Sequence, residues 1–143
     1  MASFAVAEGA FGDGRFVFSL SQPQPGWWRL HNHPFGGAKS FDFQLAAADE
    51  TLLAEKCAWL QSWEESVFVQ NLVCQRHTPG GIAVLRGRSF RQVTPQGIGE
   101  ERLLESAGDL VSTLRSEFDL DVPEAEQLWP RIVARHAALF GTA

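Results

Sequence analysis

Through the first third of the chain, apolar and aromatic residues come in short runs separated by turn chemistry. The runs are Ser3–Ala7, Arg15–Leu20, Trp27–His31 and Lys39–Phe43. Between them lie Gly9 to Gly14, Gln22-Pro23-Gln24-Pro25-Gly26 and Pro34-Phe35-Gly36-Gly37. Glycine, proline and asparagine-type punctuation at such spacing predicts short strands, as a meander or part of a small barrel. From Asp49 to Leu60 the period changes. Leu52, Leu53, Lys56 and Leu60 recur at helical spacing behind a capping Asp49, so a linking helix is predicted there.

The β pattern then returns. Val67 to Arg76 reads as a strand, Thr78-Pro79-Gly80-Gly81 as a turn and Ile82 to Arg88 as its partner. A turn centred on Pro79-Gly80, read as type II with positive φ at Gly80, pairs Cys74 with Leu85, Arg76 with Ala83 and Leu72 with Gly87. Alternation then places Phe68, Leu72, Cys74, Ala83 and Leu85 on a core face, and Asn71, Gln75, Arg86 and Arg88 on the other. Ser89 to Thr94 and Glu100 to Leu104 extend the sheet through a turn at Pro95-Gln96-Gly97. Ser106 and Asp109 form a capping box before a helix carrying Leu110, Leu114 and Phe118. Pro123 opens a last helix with Leu128, Trp129, Ile132 and Val133 on its apolar side and a kink expected at Pro130.

Composition narrows the classes. The 143 residues suit one domain or two small lobes, and the 45% hydrophobic and 20% charged content is that of a globular chain. A net charge of −5 argues against general nucleic-acid binding, which rests on neutralising phosphates. No apolar run reaches membrane-spanning length, and the N-terminus lacks the basic region of a signal peptide. Two cysteines are too few for a disulfide scaffold, so a cytoplasmic setting is expected.

The run S-x-x-E-S-x-F-x-x-N-L-x-x-x-R-x-T-P-x-G-x-x-x-L-R-G-R, from Ser62 to Arg88, resembles the C-terminal part of the arylamine N-acetyltransferases. Trp28 with Leu30, Phe41-Asp42 and Trp59 upstream, and Leu110, Leu114, Phe118, Leu120, Asp121 and Pro123 downstream, continue that resemblance. It implies ping-pong transfer of acetyl from acetyl-CoA to an arylamine or hydrazine through a cysteine thiolate, a histidine base and an orienting aspartate. The R-G-G-x-C-type motif that carries the cysteine does not occur here: Gly36-Gly37 leads into Ala38-Lys39. No catalytic residue is therefore assigned to this chain. The resemblance also implies that the segment with Ser66 and Phe68 lines the cleft for CoA and a small aromatic amine, with Arg86 and Arg88 as cleft candidates beside it.

Other chemistries are weaker. Cys74 and His77 are three apart on a strand and point to opposite faces, and Cys57 has Lys56 but no histidine at a neighbouring turn. Both cysteines read better as small hydrophobes. His31, His33 and Asp42 could approach one another as metal ligands, but no CxxC or HExxH spacing supports this and no metal is assigned. Arg76, Arg86, Arg88 and Arg91 crowd the hairpin. They suit an anion such as the phosphates of CoA, against the plainer reading of a solvated sheet face.

The expected fold is α+β and mostly antiparallel. A partial β-barrel lobe covers 1–45, a linking helix 46–66, and a lid-like lobe of sheet plus C-terminal helices 67–143. Two functions are carried forward. The first is the C-terminal part of an arylamine N-acetyltransferase-like protein, inactive alone and served by a separate polypeptide bearing the Cys-His-Asp half. The second is a stand-alone, non-catalytic binding or interaction module.

Overall fold

The computed structural model describes residues 6–12 and 14–141, folded as two compact units, residues 1–48 and 49–143. The architecture is α+β, with two antiparallel sheets and helices confined, among the described residues, to the second unit.

The first unit is an open meander, β1 (Gly9–Gly12), β2 (Val17–Gln24), β3 (Trp27–His31) and β4 (Ser40–Phe43), paired in sequence order. Leu20, Leu30 and Phe41 stand in register across three strands, and Arg29 faces Asp42. That pair closes a two-pronged ion pair, with Arg29 Nε and Nη2 donating to the two Asp42 carboxylate oxygens at 2.6 and 2.8 Å. The buried centre is Phe16, Leu20 and His33, the imidazole lying 4.2 Å from the Phe16 ring centre and 5.6 Å from that of Phe18.

Two expectations change here. The strand predicted over 3–7 falls mostly outside the described residues, and β1 instead occupies Gly9–Gly12, where a turn was expected. Glycine serves close approach rather than reversal: a Cβ on Gly12 would meet the Phe16 carbonyl oxygen at 2.6 Å. Phe11, stacked on Phe18, anchors the pair. Likewise β2 runs through Gln22-Pro23-Gln24, because an irregularity in the register between Ser21 and Gln24 spares Pro23 a ladder bond. The turn shrinks to Pro25-Gly26.

The second unit opens with α1 (Glu50–Ser62), capped as predicted by Asp49, whose carboxylate accepts from Leu52 N at 3.0 Å. The predicted strand from Val67 does not begin there. Val67–Gln70 is a short helix, α2, and the strand β5 starts at Val73. Local hydrogen bonds outweigh the β propensity of Val-Phe-Val. Ser66 Oγ accepts from Phe68 N at 3.3 Å while donating to the Leu60 carbonyl at 2.7 Å, and Asn71 Nδ2 donates to the Val67 carbonyl at 2.9 Å. Phe68 consequently leaves the core face it was assigned and is 64% exposed.

β5 (Val73–Thr78), β6 (Gly81–Arg86) and β7 (Ser89–Thr94) form the body of the second sheet; β8 (Gly97–Ile98) and β9 (Arg102–Leu103) both pair with β7. The predicted register holds: Cys74 faces Leu85, Arg76 faces Ala83, and Gly87 N donates to the Leu72 carbonyl at 2.9 Å. The turn type differs. Gly80 keeps an ordinary φ, so no type II turn forms. The indispensable glycine is Gly81, where a Cβ would stand 2.0 Å from the Val93 carbonyl oxygen on β7.

One face of this sheet meets α3 (Ala107–Phe118), burying Ala83, Leu85, Leu104, Leu110, Leu114 and Phe118 together. Ser106 Oγ accepts from Asp109 N at 3.1 Å, and the Asp109 carboxylate accepts in return from Glu105 N at 3.1 Å and from Arg102 at 2.9 Å. The single kinked C-terminal helix resolves into two pieces, a 3-10 helix (Pro123–Leu128) and α4 (Trp129–Phe140). Pro130 sits in the first turn of α4, where a missing N–H leaves no helical bond unmade, so the break precedes it.

Candidate functional site

The register of β6 and β7 decides what the open face of the second sheet displays. Val84 pairs with Arg91 and Arg86 with Ser89. These four side chains therefore point away from the Ala83, Leu85 and Phe90 side that packs on α3. At one end of this face lies α2. Alongside runs α4, whose residues Arg131, Ile132, Arg135, His136 and Leu139 recur at helical spacing on a single side, with Leu128 at its N-cap. Sheet, α2 and α4 enclose an open groove of about 680 Å³, in the range of small-molecule sites.

The groove is amphipathic. Phe68, Leu72, Val84, Ile132, Leu139 and Phe140 supply apolar wall, while Arg86, Arg91, Arg131 and Arg135 supply four guanidinium groups against one carboxylate, Glu101. Arg135 is steered by neutral acceptors, donating to Gln70 Oε1 at 2.9 Å and reaching Asn71 Oδ1 at 3.5 Å. Arg131 reaches the Val69 carbonyl at 3.4 Å. Neither contact cancels charge. Glu101 is itself engaged by the Ser89 hydroxyl.

The four residues singled out from the sequence separate. Phe68 and Arg86 line the groove. Ser66 is 1% exposed and its hydroxyl is committed to capping α2 and bracing Leu60. Arg88 is not among the groove-lining residues: its Nε donates to the Leu104 carbonyl at 3.0 Å and its guanidinium lies 5.8 Å from the Trp129 ring centre. Of the other hairpin arginines, Arg91 joins the groove, whereas Arg76 turns to Asp119 at 3.7 Å. Arg131, Arg135 and His136 were missed. Their signal was present as the continuation of the Leu128–Ile132 stripe through Leu139, with arginines four apart beside it.

The other candidate groups are occupied locally. Cys74 is half-buried opposite Leu85, and burial pushes its thiol above the ordinary value, away from the reactive thiolate. Cys57 is exposed and accepts a hydrogen bond from Gln61 Nε2 at 3.0 Å. Asp42 is held below the usual carboxylate range, chiefly by its hydrogen bonds from Arg29. His31 Nε2 lies 2.8 Å from Ser21 Oγ, and His33 is wedged among phenyl rings. The sheet thus does not bring His31, His33 and Asp42 to one point.

Comparison with known proteins places this arrangement. No curated protein is significantly similar in sequence. Among solved structures, the fold matches the arylamine N-acetyltransferase of Mycobacterium marinum, solved in complex with CoA, at a TM-score of 0.72 and 20% identity; 89% of this chain and 46% of that enzyme are covered. The Salmonella typhimurium enzyme gives 0.73 at 21% identity, over 90% and 50% of the two chains. That of Mycobacterium abscessus gives 0.73 at 20%, over 90% and 49%. The chain spans about half the length of these solved relatives. Among the described residues, no helix is long and apolar enough to cross a membrane. The N-acetyltransferase family model matches residues 12–127, most of the sequence, and with it β2 to β9 and α1 to α3. On that match, this chain belongs to the arylamine N-acetyltransferase family.

Proposed function

We propose that this chain is the C-terminal part of an acetyl-CoA-dependent arylamine N-acetyltransferase-like enzyme, that it walls the cleft for CoA and a small aromatic amine, and that it transfers no acetyl group by itself. The observation that carries the second half is the state of its thiols. Acyl transfer in this family's manner needs a cysteine held as thiolate beside a base. Here one thiol is raised by burial and the other has only an amide as its described partner. The nucleophile, histidine and aspartate then belong to a separate polypeptide or to a longer form of the protein, and two free cysteines fit a cytoplasmic setting. Phe68, exposed at the groove mouth, and Arg86 are its cleft-facing side chains, with Ser66 and Arg88 setting the segment and strand that carry them.

The test is acetylation of an arylamine by the purified chain with acetyl-CoA, alone and mixed with an N-terminal half taken from a homologous enzyme. No turnover alone and turnover with the added half is the expected result. Turnover by the chain alone that disappears on Cys57→Ala or Cys74→Ala would overturn the reading. The same experiment weighs the alternative of a stand-alone binding module, which predicts a stable monomer that no catalytic half activates.

A further inference from the structure

We propose that the apolar face of the first sheet is the surface on which the catalytic half of the enzyme docks. The register of β1 to β4 sorts the side chains by chemistry. Phe18 and Leu20, Trp28 and Leu30, and Phe41 and Phe43 stand on one face in cross-strand order. Phe11, paired with Phe18 and stacked on it, extends that face onto β1. The other face takes Ser21, Arg29, His31 and Asp42, and these satisfy one another. Arg29 donates twice to Asp42, and His31 Nε2 lies 2.8 Å from Ser21 Oγ. An antiparallel sheet divided in this way buries its apolar side and leaves the polar side to water. Here the burial is unfinished. Among the described residues of this unit only Phe16, Leu20 and His33 are buried, while Phe41 is 56% and Phe11 43% exposed.

The sheet has a second unmet need. Its order β1-β2-β3-β4 is open, so the outer edges of β1 and β4 have no strand partner among the described residues. A contiguous aromatic face flanked by open edges marks a surface that receives another chain. A lipid surface is the poorest occupant. The four strands carry one guanidinium, Arg29, on the opposite face and bound to Asp42, and the chain is net −5, so nothing draws the sheet to anionic headgroups. A second copy packed face to face would cover the aromatics but pair neither edge. A different chain can do both. The solved relatives supply one: the family match includes β2 to β4, and those enzymes carry about as much chain again beyond the part this fold matches. The partner's identity rests on the acetyltransferase reading; the need for a cover does not.

The test is co-expression of the whole chain with the half of the Salmonella typhimurium enzyme that this fold does not cover, followed by affinity capture and analytical ultracentrifugation. The working variant is Phe11→Ser with Phe41→Ser, both side chains being exposed already; circular dichroism checks that folding survives. Val17→Ser is the control, since Val17 is 66% exposed but stands on the opposite face. We expect a one-to-one complex with the wild-type chain and with Val17→Ser, weakened about tenfold or more in the double variant. Tenfold is about 1.4 kcal/mol, the order expected for re-exposing the uncovered halves of two phenylalanines. No complex with the wild-type chain, or equal binding by the double variant, overturns the docking surface. A dimer formed in place of the complex and abolished in the double variant assigns the face to a second copy. Binding to phosphatidylglycerol vesicles with the same dependence assigns it to lipid, and either result overturns the catalytic half as occupant. The docking surface and the acetyltransferase reading fail separately. A complex that depends on Phe11 and Phe41 yet transfers no acetyl group keeps the surface and sinks the activity, while acetyl transfer that the double variant leaves intact does the reverse.

Discussion

Leu85 and Phe68 lie on the same face if Val67 to Arg76 is a strand, yet the structure separates them. Leu85 is fully buried on the central strand β6, between β5 and β7 and under α3, whereas Phe68 projects from α2 with 64% of its surface exposed. Leu85→Ala removes core carbons where two hydrogen-bonded strands restrain any collapse into the gap. Large-to-small changes in such places cost about 2–5 kcal/mol, and a site flanked on both sides belongs to the upper half, about 3–4 kcal/mol. Full burial of a phenylalanine is worth about 1.5–3 kcal/mol, so the third of Phe68 that is covered is worth about 0.5–1 kcal/mol. A unit of this size has a total stability of roughly 5–14 kcal/mol, of which the Leu85 change is a large share. Urea unfolding followed at 222 nm reads the second unit selectively, since the described helices all lie there. The two variants should differ in unfolding free energy by about 2–3 kcal/mol at equal denaturant slope. Equal losses, or a larger loss for Phe68→Ala, would refute the short helix at 67–70 and restore the strand.

Two further predictions rest on the same unit. Gly81→Ala should destabilise by about 2–3 kcal/mol, because its Cβ meets the Val93 backbone and β6 must part from β7, while Gly80→Ala, with nothing within 4 Å of its Cβ, should be neutral or slightly stabilising; thermal melts of the pair decide it. Asp109 is held below its ordinary 3.8: partial burial alone would raise it, but hydrogen bonds from Arg102, Glu105 N and Thr113 outweigh that. A depressed carboxylate contributes stability that is present above the unfolded value and is lost as pH falls through the lower folded one. The stability of Asp109→Asn should therefore lie below wild type near neutrality and converge with it below about pH 4; a constant gap across that range would refute the coupling.

What the sequence determined by itself is local. Asp49 and Ser106 name their helices because a cap needs only a side-chain oxygen within reach of an N–H two or three residues on. The pairing of Cys74 with Leu85 followed from the turn at Pro79-Gly80 and the two-residue period of strands, both short-range properties. The family, too, was legible in the ordered residues from Trp28 to Pro123, a span that lies within the family-model match over residues 12–127. The sequence failed where local preferences competed or distant segments had to meet. Val-Phe-Val favours a strand until the Ser66 hydroxyl is anchored on Leu60, a contact that exists only once α1 has ended. Gly12 looked like a turn residue until a second strand approached closely enough to need it. Above all, the groove could not be read from the chain. Its arginines come from β6, β7 and α4, up to about fifty residues apart, and they share one surface only because the sheet register and the packing of Ile132 beside Gly87 bring α4 alongside. Side-chain chemistry is written residue by residue, but its convergence depends on burial, and burial belongs to the folded chain as a whole.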